Sequence, residues 1–137
     1  MPVIARDFTE SDRKIYCEMS NAFYASDAVC RSVPQAFFVK TFELCLQKSP
    51  FVRGLIIEYE NRTAGYVLLS FTYSNEAGGM VVLIEEALVL PRFQGKGIVS
   101  KVFDILADEY DGKAARYRLD VTKENGRATR DLQAFRV

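Results

Sequence analysis

The 137-residue sequence contains no histidine and no tryptophan, and it has only three cysteines. Without histidine there can be no Ser-His-Asp triad and no Cys-His nucleophile pair. A histidine-containing zinc site is excluded for the same reason. Any proton transfer that this chain catalyses must therefore use carboxylates, tyrosine, lysine, cysteine or water.

Cysteine is scarce and dispersed, because Cys17, Cys30 and Cys45 are odd in number and form no C-x-x-C pair. This spacing predicts neither a disulfide framework nor a cysteine-only zinc site, so we expect no metal and a reducing compartment. The first residues lack the basic and apolar segments of a signal peptide. No apolar run approaches the roughly 18 residues that span a bilayer. These features predict a cytoplasmic protein without membrane association.

Positive and negative charges cancel overall but are unevenly distributed. Residues 1–91 carry 8 basic and 11 acidic side chains, whereas residues 92–137 carry 10 basic and 7 acidic ones. The asymmetry is either chance or the mark of an anion-binding site in the last third of the chain. No dense run of Lys and Arg with interleaved aromatic residues occurs, so nucleic acid is not an expected partner.

Length and hydrophobic periodicity predict a single domain, residues 1–137, with a mixed sheet. Segments of strand and helix character follow in the order β-α-α-β-β-β-α-β-α. A hairpin-linked antiparallel trio that enters a βαβ unit predicts an α/β (α+β) fold, in which helices flank a central, mostly antiparallel sheet. Strands are expected at Val3–Phe8, Phe51–Glu60, Ala64–Tyr73, Met80–Leu90 and Ala115–Val121, and helices after Thr9–Asp12, after Pro34, after Gly97 and over Asn125–Ala134.

One segment, residues 84–100, combines a strand, a tight turn and the start of a helix. The turn Gln94-Gly-Lys-Gly97 places successive backbone amides at a helix N-terminus, where amides and the helix dipole bind phosphate. Glycine lets the backbone approach the phosphate without a Cβ atom. The segment is neither a Walker loop, because Gly97 follows the lysine, nor G-x-G-x-x-G, because Ser100 replaces the third glycine. A plain tight turn is the structural alternative.

These residues resemble the acetyl-CoA motif of the GCN5-related N-acetyltransferase (GNAT) family. Arg92-Phe-Gln-Gly95-Lys-Gly97 matches R/Q-x-x-G-x-G/A, and Ile84-Glu-Glu-Ala-Leu-Val-Leu-Pro91 is similar to the family's fourth strand. Asn125-x-x-Ala128 falls where the family places N-x-x-A at the start of its last helix. The resemblance covers nearly the whole chain and implies a GNAT-like acyl-CoA N-acyltransferase fold, with acetyl-CoA as co-substrate and no metal.

The resemblance implies three groups of contacts with acetyl-CoA. Amides of the turn would cradle the pyrophosphate, the backbone of residues 87–89 would pair with the pantetheine amides like an added strand, and Asn125 would contact the CoA arm or cap the last helix. A break in pairing between this strand and the next would make room for the cofactor. The implied cofactor-binding residues are Ala87, Leu88, Val89, Arg92, Gln94, Gly95, Lys96, Gly97, Ile98, Val99, Ser100 and Asn125.

The resemblance also implies direct transfer, in which a neutral amine attacks the thioester carbonyl in a ternary complex. Glu85 matches the general base of some small-amine members, and Glu86 matches a neighbouring acid that binds the substrate's cation. A main-chain amide near Leu88 would meet the oxyanion. Adjacent strand residues face opposite sides of a sheet, so both carboxylates reach one pocket only if a bulge intervenes. Otherwise one or both are solvated or paired with Arg or Lys.

The chain departs from the family pattern at two positions. Val99 fills a slot usually held by Gly or Ala, and Leu132 stands where a Tyr commonly protonates the leaving thiolate. The family also continues into two more strands, so we expect the C-terminal strands to be lost or missing here. Solvent or another chain would then supply what is lacking, or Tyr110 or Tyr117 would be recruited, although packing is the expected role of both tyrosines.

The resemblance therefore implies an N-acetyltransferase, and we expect its acceptor to be the primary amine of a small molecule. Phe23, Tyr24 and residues 26–33 lie where the family builds its acceptor pocket, with Phe23 expected in the core. The alternatives are a degenerate acyl-CoA-binding module without turnover and a protein Lys or N-terminal acetyltransferase. An exposed sheet edge left by a short C-terminus would favour a homodimer.

Overall fold

The computed structural model describes residues 2–25, 34–123 and 126–132, with side chains described as far as Leu119. The strands are β1 (Val3–Asp7), β2 (Val52–Tyr59), β3 (Arg62–Ser74), β4 (Gly79–Val89), β5 (Ala114–Lys123) and β6 (Gly126–Leu132). The helices are α1 (Arg13–Tyr24), α2 (Gln35–Leu46) and α3 (Ile98–Glu109). Among the helices of the described part, none has the length and apolar character needed to cross a membrane.

The six strands form one sheet in the order β1-β2-β3-β4-β5-β6. Strands β4 and β5 run parallel, and every other neighbouring pair is antiparallel. The parallel pair needs a crossover, which α3 supplies. This architecture confirms the mixed, mostly antiparallel sheet flanked by helices that the sequence predicts.

Two cores lie on opposite faces of the sheet. Alternation along β2 sends Leu55 and Ile57 to the core under α3 and sends Ile56 to the core under α1 and α2. Helix α3 buries Ile98 and Leu106 against the first core. Helix α2 buries Phe38, Phe42 and Cys45.

The helix predicted over Asn125–Ala134 is wrong, because Gly126–Leu132 forms β6 antiparallel to β5. Strand β5 pairs with β4 only as far as Leu119, and its remaining residues pair with β6 alone. Backbone N–H and C=O groups need partners, and β6 supplies them. The segment has too few apolar residues for the amphipathic face of a packed helix.

The start of α1 is fixed by a small charged network around Asp12. Its carboxylate accepts hydrogen bonds from both terminal nitrogens of Arg6, at 2.8 and 3.0 Å, and from the Thr9 backbone N–H at 2.7 Å. The bond from Thr9 is the reciprocal half of a capping box. Arg6 also donates to Glu58 at 3.0 Å, which ties the helix start to β2. These bonds, that from Arg6 foremost, hold the pKa of Asp12 below its ordinary value.

Replacing Asp12 by asparagine is expected to lower the free energy of unfolding at pH 7 by about 1–3 kcal/mol, because Arg6 loses its charged partner. A carboxyl whose pKa is lowered by folding contributes stability above its unfolded pKa of about 3.9. That contribution disappears as the pH falls through the folded value. The difference between the two proteins should therefore shrink below a pH of about 3.9, as measured by urea unfolding across pH.

Glu10→Gln is the matched control, because Glu10 pairs with Arg13 but its side chain is 72% exposed. We expect it to change stability by less than about 1 kcal/mol. Equal losses in the two variants would contradict the assignment of Asp12 as the structural carboxylate.

Candidate active site

A β-bulge in β4 brings the two adjacent glutamates to the same side of the sheet. Leu69 pairs with Ile84 and Leu68 pairs with Glu86, so Glu85 is an extra residue with no partner of its own in β3. Ile84 and Ala87 both face the α3 core, although regular alternation would separate residues three apart. The bulge absorbs the extra residue and re-aims the side chains beside it.

Both carboxylates line a cleft of about 250 Å³ on the α1 and α2 side of the sheet. Glu86 is buried, with 7% of its surface exposed, whereas Glu85 is half-buried. The Glu86 carboxylate accepts a hydrogen bond from the Tyr24 hydroxyl at 2.5 Å and one from the Tyr66 hydroxyl at 2.6 Å. Two phenol donors on two different elements therefore fix the orientation of this carboxylate.

The walls of the cleft are mainly aromatic. Tyr24 stacks on Phe38 with ring centroids 5.3 Å apart, and Tyr16 meets Tyr66 edge to face at 5.3 Å. Burial, followed by the charge of Glu86, raises the pKa of Tyr66, so that this phenol stays protonated and donates to the carboxylate. Tyr24 lines this cleft, and Phe23 is buried as expected.

The edge of β4 beyond the bulge is splayed away from β5. The parallel pairing runs from Met80 with Ala114 to Ile84 with Leu119. Within the described part of the chain, residues 85–89 of β4 have no partner in β5. The predicted break between these two strands is therefore present, beside the two glutamates.

The register determines which backbone amides face this open edge. The Leu90 N–H donates to the Ala64 carbonyl at 2.7 Å, so the backbone groups of Leu90 face β3. Because backbone groups alternate in direction along a strand, those of Leu88 also face β3, and those of Ala87 and Val89 face the splayed edge. The prediction that Leu88 supplies the oxyanion donor and a pantetheine contact is corrected, because its backbone groups belong to the β3 ladder. Ala87 is the amide next to the bulge that faces the open edge.

The glycine turn forms a second, open cavity of about 220 Å³ at the start of α3. Gly95 and Gly97 have φ angles of +79° and +74°, which favour glycine. A Cβ at either position would meet nothing within 4 Å, so open space lies directly above both residues. Ile98, Val99 and Ser100 begin α3, where backbone N–H groups have no partner within the helix.

Gln94 does not join this cradle as predicted. Its backbone N–H donates to the Pro91 carbonyl at 3.2 Å, within a short 3₁₀ turn. Its side chain donates from Nε2 to the Val89 carbonyl at 2.9 Å, which links the turn to the splayed edge of β4. The amides open to a phosphate therefore begin after Gln94, and Gln94 positions the turn.

The other predicted residues lie at the margin of the site or outside it. The Arg92 guanidinium lies over the Phe93 ring at 5.2 Å, and Lys96 is exposed in the turn.

Tyr117 is buried in the α3 core and Tyr110 packs on Phe71, which confirms packing for both tyrosines. Asn125 and residues 26–33 lie outside the described residues. The backbone of Leu132 pairs with Tyr117 in β6.

Tyr66 is a residue of the candidate site that sequence reasoning missed. It lies in the middle of an otherwise apolar run of β3 and is fully buried. A tyrosine buried in such a run needs a partner for its hydroxyl, and that need was a signal available in the sequence. The identity of the partner was not available, because Glu86 lies 20 residues away in the chain.

Gly65 allows β3 to lie close to β4 behind the splayed edge, because a Cβ at this position would lie 1.8 Å from the Leu88 carbonyl oxygen. Gly65→Ala must displace the backbone of β4 beside Ala87. We expect a loss of about 1–3 kcal/mol in unfolding free energy, together with weaker binding of acetyl-CoA, as measured by urea unfolding and calorimetry.

Gly79→Ala is the control for this change, because the added Cβ would meet only the Ala115 side chain, at 3.1 Å, at the distant start of β4. We expect its affinity for acetyl-CoA to match that of the unmutated protein. Unchanged binding by Gly65→Ala would show that the splayed edge is not the binding edge.

Three solved structures illustrate the similarity of this chain to known acetyltransferases. AAC(6')-Iy in complex with a bisubstrate analogue, CoA-S-monomethyl-acetylneamine, superposes with a TM-score of 0.72 at 16% identity, over 91% of this chain and 83% of that one. Arabidopsis thaliana Naa50 in complex with CoA-Ac-MVNAL gives 0.64 at 16% identity, over 91% and 76%. Glucosamine-6-phosphate N-acetyltransferase from Arabidopsis thaliana gives 0.65 at 25% identity, over 91% and 86%.

No curated protein sequence matches the chain. The family model of the acetyltransferase (GNAT) family matches residues 15–135. This match spans the bulge, the splayed edge and the glycine turn, as well as most of the sheet. The chain belongs to the acetyltransferase (GNAT) family.

Proposed function

We propose that this protein transfers the acetyl group of acetyl-CoA to the primary amine of a small cationic molecule with an apolar body. The observation that carries the proposal is the bulge at Glu85. It directs the side chains of Glu85 and Glu86 toward the same cleft, beside the splayed edge of β4. An amine held by these carboxylates would lie next to a thioester held at that edge. Such a placement converts the transfer into a reaction within one complex.

The chemical groups of acetyl-CoA match the groups exposed at the splayed edge of β4 and at the glycine turn. Pantetheine carries two amides, and the N–H and C=O of Ala87 and the N–H of Val89 face the open edge where an added strand would pair, whereas the Val89 carbonyl accepts the Gln94 side chain. The pyrophosphate is a dianion, and the start of α3 offers free amides with open space above Gly95 and Gly97. Lys96 adds a positive charge in the same turn.

The chain's residues then have separate roles in the transfer. Glu86, fixed by two phenols, accepts hydrogen bonds from the substrate ammonium and orients it. Glu85 takes a proton from the amine through water, so that the neutral nitrogen attacks the thioester carbonyl. The Ala87 amide donates to the oxyanion that develops on the carbonyl oxygen. The C–S bond breaks as the amide forms, and solvent protonates the departing thiolate.

The lining of the cleft supports a cationic acceptor with an apolar body. Tyr24, Phe37 and Phe38 provide aromatic surface, and the two glutamates provide negative charge. No lysine or arginine lines the cleft among the residues that the structure describes. The two carboxylates of this lining disfavour a phosphorylated acceptor, whereas an ammonium gains both ion pairing and cation–π contact.

An acceptor panel with a fixed concentration of acetyl-CoA tests the proposal. The panel contains 2-phenylethylamine, spermidine, glucosamine 6-phosphate and a short peptide with a free N-terminus, and mass spectrometry detects the acetylated product. We expect the highest kcat/KM with 2-phenylethylamine and no product with glucosamine 6-phosphate. Preferred turnover of the sugar phosphate or of the peptide would contradict the proposed acceptor class.

A second candidate is an acyl-CoA-binding module without turnover. It is favoured by Leu132, whose side chain cannot protonate a thiolate, and whose backbone lies in β6 opposite Tyr117. This candidate predicts acetyl-CoA binding with no acetylated product from any amine in the panel. Product formed in proportion to protein concentration would exclude it.

A further inference from the structure

A cavity of about 360 Å³ lies apart from the candidate active site, where α2 ends and β2 begins. Its apolar wall comes from Val52, Phe71, Met80 and the ring of Tyr110, and its polar rim includes Lys48. Val52 also lines the acceptor cleft, but both glutamates and the glycine turn lie outside this cavity. Its volume falls in the range of small-molecule sites, about 300–1,000 Å³.

Arg53 and Lys48 are the cations that line this cavity among the residues that the structure describes, and they differ in how they are paired. Arg53 donates to both oxygens of Asp7, at 2.8 and 3.1 Å, and also binds the Glu109 carboxylate and the Tyr110 hydroxyl. Asp7 and Glu109 together carry more charge than Arg53 alone, and Lys48 brings the four charges to a net of zero. Lys48 interacts with Asp7 only by longer-range charge attraction, because within the described chain its ammonium has no hydrogen bond or ion pair.

The backbone of Lys48 is held in an unfavourable conformation at the rim of the cavity. Lys48 has a φ of +60°, in the left-handed region. Its N–H donates to Cys45 and the Ser49 N–H donates to Leu44, which is the hydrogen-bonding pattern of a Schellman helix end. Glycine is the favoured residue at this position, so a lysine here costs stability. Strained residues of this kind concentrate at functional sites.

We propose that this cavity binds a small organic monoanion, an aryl or alkyl carboxylate, with its carboxylate on Lys48 and its apolar body on Phe71 and Met80. The Ser49 hydroxyl oxygen accepts the Phe51 N–H, so its own hydrogen remains available to a carboxylate oxygen. This site is independent of the proposed transferase chemistry.

Binding at this site is non-covalent. Cys45 lines the cavity, but burial raises the pKa of its thiol to about 11. The thiolate, which is the nucleophilic form, is therefore scarce at neutral pH. The cavity thus recognises its ligand by one charge and an apolar surface.

Calorimetric titration with 4-phenylbutyrate tests the site, with the neutral 4-phenylbutan-1-ol as the matched probe. Lys48→Gly keeps the left-handed backbone and removes the charge, whereas Lys48→Arg keeps a charge. We expect 4-phenylbutyrate to bind the unmutated protein and Lys48→Arg, and to bind Lys48→Gly at least tenfold more weakly. The alcohol should bind all three proteins equally weakly.

Thermal unfolding checks the variants, and Lys48→Gly should unfold at a temperature no lower than the unmutated protein. Equal affinity of 4-phenylbutyrate for Lys48→Gly and the unmutated protein would overturn the proposal. So would equal affinity for the acid and the alcohol, or no binding of the acid at millimolar concentration to the folded, unmutated protein.

Discussion

Glu85→Gln is expected to lower kcat/KM for an amine acceptor by about 10²–10⁴-fold, which is the usual contribution of a general base. The substitution preserves the size of the side chain and the bulge in β4 but removes the group that accepts the amine proton. Only the small neutral fraction of the amine can then react, and that fraction rises with pH. The rate of the variant should therefore increase about tenfold per pH unit below the amine pKa, more steeply than that of the unmutated enzyme.

Two variants make this expectation specific to Glu85. Glu85→Asp keeps a carboxylate on a shorter side chain and should recover part of the lost rate. Glu86→Gln should mainly raise KM, because Glu86 is bonded to Tyr24 and Tyr66 and orients the substrate cation. An unchanged kcat/KM in Glu85→Gln, with the loss found only in Glu86→Gln, would exchange the two roles and contradict the account.

Gly95→Asp is expected to weaken acetyl-CoA binding by about 10²-fold or more, because like charges placed together cost several kcal/mol. The new carboxylate would project into the open space above the turn, where the pyrophosphate is expected. Gly95→Asn is the matched control, since asparagine has nearly the same shape, carries no charge and tolerates the left-handed backbone. We expect it to cost far less affinity by calorimetry. Equal losses in both variants would show a steric or backbone effect instead of repulsion.

The local parts of the site were predictable from the sequence because their signals are short-range. The turn before α3 contains both glycines that its positive φ angles favour, and the apolar period of α3 begins directly after Gly97. The strand before the turn is rich in branched residues, and its end is marked by Pro91. Each of these patterns lies within a few residues of the structure that it forms.

The arrangement of the two glutamates could not be predicted, because it depends on the register between strands. The bulge at Glu85 arises where β4 pairs with β3, and no pattern within residues 84–91 distinguishes a bulged strand from a regular one. The same register directs the backbone groups of Leu88 toward β3. The prediction that these groups face the cofactor is therefore wrong. The strand formed by residues 126–132 was not predicted either, because it depends on pairing with the edge of β5.

A two-dimensional ¹H–¹⁵N NMR titration of the protein with acetyl-CoA tests directly whether the cofactor binds between β4 and β5. We expect the perturbed amides to cluster at Ala87, at Val89 and at residues 95–100, with smaller changes at Glu85 and Glu86. Amides lining the cavity beside Lys48 should remain unchanged. Saturable shifts confined to other parts of the sheet, or no shifts at millimolar acetyl-CoA, would contradict the placement of the cofactor between β4 and β5.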